Sequence, residues 1–89
     1  MARIMFTANL ERHLSCSPGE VRARSVRDAL KSVFADNPRL ESYLLDEHGR
    51  LRRHVNIFVA GEMISDRETL SDRVGPDDEI YVFQALSGG

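Results

Sequence analysis

The sequence predicts an α+β domain in which a mixed sheet packs on one main helix. Several short segments alternate apolar and polar residues, which is the period of a half-buried strand. One segment between them has instead the 3.6-residue period of an amphipathic helix. The length of 89 residues suits one domain with one core. We expect that domain to span residues 1–84, with a flexible tail over residues 85–89.

The N-terminal part of the chain predicts a β-hairpin. Ile4, Phe6 and Ala8 alternate with more polar residues and predict a first strand. Val21 and Ala23 alternate with charged residues and predict a second strand. The turn-forming residues Ser-Pro-Gly between the two strands favour an antiparallel pair joined by a loop.

The main helix follows directly. Its apolar positions have the spacing i, i+3, i+4, i+7, i+8 and are Val26, Ala29, Leu30, Val33 and Phe34. Ser25 is the predicted N-cap, and Asp28 three residues later suits a capping box. Pro38 ends the helix, because the residue before a proline is disfavoured in helical geometry.

The rest of the chain predicts two further strands and short connections. A turn of helix over Leu40–Leu45 is expected, followed by a strand with Val55, Ile57 and Val59 inward. A minor strand or turn should follow Gly61, and a short helical turn should lie within Asp66–Val74, anchored by Leu70 and Val74. The last strand should have Ile80 and Val82 inward. One helix covers only one face of a sheet, so a mixed sheet wrapped around it is the economical solution. This order of elements is that of the β-grasp, the ubiquitin-like fold.

The closing residues Gly88 and Gly89 are the candidate chemical group. Glycines have no side chains, so the tail, which also contains Leu86 and Ser87, can enter a slot too narrow for other residues. A terminal carboxylate is a poor acyl electrophile until a partner activates it, for example by adenylation. Attack by sulfide on the activated group then gives a thiocarboxylate. The alternative is an inert flexible tail.

Strand parity predicts an exposed aromatic patch. If Val55 and Ile57 face the helix, Phe58 faces away from it, and by the same rule so do Tyr81 and Phe83. If the two strands are neighbours, these three side chains form one apolar surface that suits partner docking. The alternative is that a loop or Met63 covers them.

Two segments, Arg53–Val59 and Asp78–Gly89, resemble the MoaD/ThiS family of ubiquitin-like sulfur carriers, and the likeness extends over nearly the whole chain. Residues 49–56 are most similar to CysO-type carriers, which serve cysteine biosynthesis. The resemblance implies that a MoeB/ThiF-type enzyme uses ATP to adenylate Gly89, which then becomes a thiocarboxylate. It also implies a sulfur-accepting synthase, in a cysteine, molybdopterin or related pathway. The family often carries glycine at position 78, a turn position that Asp78 can also occupy at positive φ.

Other sites are not indicated. The single Cys16 and three unsuitably spaced histidines predict no metal site. No triad, phosphate-binding loop or carboxylate pair is present, so we expect no catalytic residue, no bound cofactor and no enzyme activity of the chain itself. The arginines at positions 50, 52 and 53 are interpreted as a solvated face. A net charge of −2 disfavours nucleic acid, and no membrane-spanning run or leader pattern is seen, so a cytoplasmic location is expected.

Two other functions stay open. The first is a protein modifier joined through Gly89 to lysines of target proteins. Lys31 is the only lysine, which disfavours chains of such modifiers. The second is an interaction module that uses the aromatic patch and has an inert tail.

Overall fold

The computed structural model describes residues 1–8, 10 and 19–84. These residues form one sheet and two helices. In chain order the elements are β1 (Ala2–Phe6), β2 (Gly19–Val21), α1 (Val26–Asp36), α2 (Pro38–Leu44), β3 (Val55–Val59), β4 (Glu62–Met63) and β5 (Glu79–Gln84). The strand order in the sheet is β2-β1-β5-β3-β4. β1 and β5 are parallel, and the other neighbouring pairs are antiparallel. The predicted mixed sheet on one main helix is confirmed.

The core lies on one face of the sheet. Inward side chains of the strands pack with the apolar faces of both helices, and the largest fully buried ones are Ile4, Leu10, Val26, Leu30, Leu40, Leu44, Val55, Ile57, Ile80 and Val82. β5 alternates buried and exposed positions because successive side chains point to opposite faces of a strand. No described side chain that is polar or charged falls in the buried class.

α1 begins and ends where the sequence predicts. The hydroxyl of Ser25 accepts the backbone N–H of Asp28 at 3.2 Å, which satisfies one of the free N–H groups at the helix start. At the other end, the N–H of Asn37 donates to the carbonyl of Val33 at 2.9 Å. Pro38 then starts α2, where its missing N–H costs nothing.

Three local predictions were wrong. Ala8 lies outside β1, in a helical position, and Ala23 lies beyond the end of β2. No helix forms between Asp66 and Val74, although a turn occupies residues 67–69. Asp78 takes part in the predicted turn without a positive φ, since the described non-glycine residues with one are Ala60 and Leu70. Instead its carboxylate accepts the N–H of Gly75 at 2.7 Å, which closes the turn before β5.

Two aspartates explain why the loop over residues 65–72 is not helical. The Asp66 carboxylate accepts the backbone N–H groups of Glu68 and Thr69 at 3.0 and 2.9 Å and the hydroxyls of Thr69 and Ser71. Asp72 accepts the N–H groups of Ser65 and Asp66. Such side-chain bonds compete with the backbone bonds of a helix. The hydrogen bonds that the Asp66 carboxylate accepts also hold its pKa well below its ordinary value, chiefly the bond from the Ser71 hydroxyl and then that from the Thr69 hydroxyl.

Among the described residues, neither helix combines the length and apolar character that crossing a membrane requires.

Candidate functional site

The face of the sheet opposite α1 carries a row of apolar side chains. Strand pairing places Met5 beside Tyr81, Tyr81 beside Phe58, and Phe58 beside Met63. Residues directly opposite each other on neighbouring strands project to the same face. One row therefore crosses four strands, and Phe83 lies in the next row, opposite Asn56. We call the surface formed by Met5, Phe58, Met63, Tyr81 and Phe83 the open face.

The open face is accessible to a partner. Tyr81, Phe83 and Met63 are 37%, 39% and 55% exposed, and Phe58 is half-buried. The rings of Tyr81 and Phe83 lie 6.4 Å apart, centroid to centroid. The three aromatic residues thus lie together as their parity indicates. Met63 lies beside Phe58 but extends the patch instead of covering it. Docking of a partner on this surface stays a prediction. It is supported by the general finding that exposed apolar patches on soluble proteins usually mark interaction sites.

One member of the open face, Met5, was missed, and Met63 was considered only as a possible cover. Met5 and Met63 belong to it, and the parity of Met5 between the inward residues Ile4 and Phe6 was the available signal. Methionine is a flexible apolar side chain that adapts to differently shaped partners. The patch is therefore wider than its aromatic part.

The last described residue is held against α2. Gln84 ends β5 opposite Val55. Its amide nitrogen donates to the hydroxyl of Tyr43 at 2.8 Å, and the ring of Tyr43 meets that of His54 edge-on at 6.5 Å. Gln84, which we call the tail root, therefore has a fixed position at one end of the sheet. The other predicted site residues, Leu86, Ser87, Gly88 and Gly89, lie outside the described residues, as does Cys16.

Arg67 braces the edge of the sheet beside the tail root. β4 pairs only with Phe58 and Val59, so the first half of β3 has no strand on that side. One guanidinium nitrogen of Arg67 donates to the carbonyls of Arg52 and Val55, both at 2.7 Å. The other donates to the side-chain oxygen of Asn56 at 2.9 Å. The side chain thus replaces a missing strand and fixes the start of β3.

A shallow basic depression lies at the same end of the sheet. It is lined by Asp46, Arg50, Leu51, Arg52, Arg53, His54, Arg67 and Glu68. The arginines interpreted from sequence as a solvated face are thus joined by a fourth. No group of three or more potential metal-ligating residues that could hold an ion is found in the described ranges.

The profile of the ThiS family matches residues 17–89. The chain belongs to the ThiS family. This confirms the resemblance to the MoaD/ThiS sulfur carriers, and the chain is a ubiquitin-like protein of the sulfur-carrier and modifier class. The small archaeal modifier protein 1 of Haloferax volcanii is 32% identical over 65 residues, which are 73% of this chain and 70% of that protein.

Solved structures confirm the β-grasp fold. The crystal structure of small archaeal modifier protein 1 from Haloferax volcanii superposes with a TM-score of 0.79 at 26% identity, covering 99% of this chain and 98% of that one. A chain in the crystal structure of the Amycolatopsis orientalis BexX/CysO complex gives a TM-score of 0.85 at 20% identity, with 100% of both chains covered. At 20% identity, the likeness to the chain in the BexX/CysO complex shows a shared fold and no more.

Proposed function

We propose that this ThiS-family chain is a sulfur carrier whose Gly89 carboxylate is adenylated by a MoeB/ThiF-type enzyme and converted to a thiocarboxylate. The proposal rests on one observation: the exposed apolar face extends to Phe83, next to Gln84, the residue after which the predicted Gly-Gly tail begins. The chain itself is not an enzyme in this proposal and binds no cofactor. ATP belongs to the activating partner, and a sulfur-accepting synthase is the second partner, both in the cytoplasm.

The proposed chemistry explains the need for a partner. At neutral pH the Gly89 carboxylate is an anion that nucleophiles do not attack. Its oxygen attacks the α-phosphorus of ATP, which forms the acyl-adenylate and releases pyrophosphate. Hydrosulfide then attacks the carbonyl carbon, AMP leaves with the bonding electron pair, and the thioacid formed loses its proton. The resulting thiocarboxylate delivers sulfur for biosynthesis of cysteine, molybdopterin or a related product.

The open face supplies the binding energy that this sequence of steps requires. Aromatic side chains that become fully desolvated in an interface typically contribute most of the affinity, about 2 kcal/mol or more each. Because Phe83 is next to the tail root, docking of the open face would bring the tail to the partner's active site in a defined direction. The same face would serve the activating enzyme and the synthase in turn.

The test is intact-mass spectrometry of the chain purified after co-expression with its MoeB/ThiF-type enzyme and a sulfur donor. We expect a mass shift equal to the replacement of one oxygen by sulfur, localised to Gly89. A variant lacking Gly89 is the control and should show no shift. An unmodified wild-type chain beside an enzyme that is demonstrably active would overturn the proposal.

A protein modifier is the second candidate function, favoured by the 32% identity to small archaeal modifier protein 1. In that case a lysine amine of a target protein displaces AMP and forms an isopeptide bond. Tryptic digests of cell extract would then contain target lysines that carry residues from the chain's end. A plain interaction module differs from both, because deleting Gly89 would leave its binding unchanged.

A further inference from the structure

The basic depression carries a net positive charge, whereas the net charge of the protein is negative. Four arginines line it against two carboxylates, those of Asp46 and Glu68, whereas the whole chain has a net charge of −2. Neither the sulfur chemistry nor the open face accounts for this local excess of positive charge. Like charges brought together on a surface raise the free energy of the free protein unless an anion offsets them.

Two of the arginines have structural roles and two are available. Arg67 is tied to three acceptors, and Nε of Arg52 donates to the carbonyl of Ser42 at 3.0 Å. Arg50 makes a loose ion pair with Asp46 at 3.5 Å. Arg53 is exposed and makes no ion pair or side-chain hydrogen bond within the described part of the chain. The fixed pair holds the depression in shape, and Arg50 and Arg53 present positive charge to solvent.

The depression is continuous with both parts of the candidate site. Arg67 bonds to Asn56, which lies directly opposite Phe83 of the open face. Arg53 and His54 immediately precede Val55, which lies opposite the tail root Gln84. A protein that covers the open face and receives the tail would therefore also cover the depression.

We propose that the basic depression docks an acidic surface, formed by Asp and Glu side chains, on the protein that activates the tail. The identity of that partner rests on the proposed function. Carboxylates fit better than phosphates, because no helix begins among the lining residues to supply backbone N–H groups. The depression is open and shallow, which suits a protein surface, and arginine guanidinium groups match carboxylates in paired hydrogen bonds.

Charges at the rim of an interface act mainly on association. They steer the encounter and make it sensitive to salt, while the chemical step after docking is unaffected. The double variant Arg50→Glu/Arg53→Glu should therefore raise KM for activation by about tenfold with little change in kcat. The wild-type KM should rise with sodium chloride concentration, and this dependence should weaken or reverse in the variant.

The assay is ATP-dependent pyrophosphate release by the adenylating enzyme with this chain as substrate. Arg22→Glu/Arg24→Glu is the matched control, because both residues are exposed, lie beyond β2 at the opposite edge of the sheet, and give the same change in net charge. If both double variants change KM equally, or neither changes it, the docking proposal is refuted while the sulfur-carrier proposal stands.

A second measurement decides the question if the wild-type chain releases no pyrophosphate, which would count against the proposed function alone. Backbone amide NMR shifts are followed as an octaglutamate peptide or inorganic phosphate is added to the full chain. We expect shifts confined to residues 50–54 and 67, and larger for the peptide than for phosphate. No shift there, or an equal response to phosphate, would overturn the assignment of an acidic protein surface.

Discussion

Replacing Arg67 by alanine tests whether one side chain holds the start of β3 in place. The guanidinium group donates to two backbone carbonyls and to the side chain of Asn56, at 2.7, 2.7 and 2.9 Å. All three bonds are partly buried, so water replaces them only in part after truncation. The start of β3 lies beside the tail root, so loss of these three bonds would disturb the proposed site as well as the fold.

The expected loss of stability is about 2–4 kcal/mol. A hydrogen bond to a charged group contributes about 1.5–3 kcal/mol, but three bonds from one half-exposed side chain add up to less than their sum. A domain of this size has a total unfolding free energy of about 4–13 kcal/mol. With a urea m-value of about 1.2 kcal/mol/M, the unfolding midpoint should fall by about 2–3 M.

Urea unfolding followed by circular dichroism measures this change. Arg53→Ala is the matched control, because it also removes one arginine, but an exposed one that makes no side-chain hydrogen bond within the described residues. It should change the free energy of unfolding by at most about 0.5 kcal/mol. Arg67→Lys should fall between the two, because one ammonium nitrogen cannot reach acceptors that two guanidinium nitrogens share. Equal midpoints for Arg67→Ala and Arg53→Ala would refute the bracing role.

Three more predictions concern the loop, a turn and the open face. The lowered pKa of Asp66 means that its ionised form stabilises the fold above the ordinary value of 3.8, and that this contribution is lost as the pH falls below it. Asp66→Asn should therefore flatten the decline of the urea midpoint between pH 6 and pH 3; an unchanged decline would contradict the loop's role. Ala60→Asn should raise stability by about 0.5–1 kcal/mol in thermal unfolding, because Ala60 and Gly61 have φ of 51° and 83°, as a type I′ hairpin turn requires. A loss of stability would show that the turn tolerates alanine better. Phe58→Ser/Phe83→Ser should weaken calorimetric binding to the activating enzyme by about tenfold or more while the double variant stays folded; an unfolded variant would show that these residues are core.

Features with a local cause could be predicted from the sequence. The alternation in β3 and β5 fixes which side chains share a face, so the grouping of Phe58, Tyr81 and Phe83 follows once the strands are neighbours. The start of α1 could be predicted because the capping hydrogen bond joins Ser25 and Asp28, which are only three positions apart. In both cases the pattern that makes the prediction lies within a single element.

Features that depend on distant segments could not be predicted. Arg67 and Asn56 are 11 positions apart, and no spacing rule indicates that one bonds the other. The spacing of Leu70 and Val74 predicts a helical turn in the loop after Ser65. The bonds of the Asp66 carboxylate to its own loop prevail over that pattern, and Leu70 is buried at a φ of 59° instead. The basic depression, too, exists only after β3 and the loop around Arg67 meet.

The central place of β5 in the sheet bears on how the protein is made. β5 lies between β1 and β3, and its parallel partner β1 comes from the opposite end of the chain, with Arg3 beside Glu79. During synthesis, β1, β2 and α1 leave the ribosome without the strand that joins them to β3. The sheet can close only after β5 has emerged, so β1 has to wait for a partner that is far away along the chain. A chain made only as far as β3 therefore has no complete open face, and this surface forms together with the strand that leads into the tail.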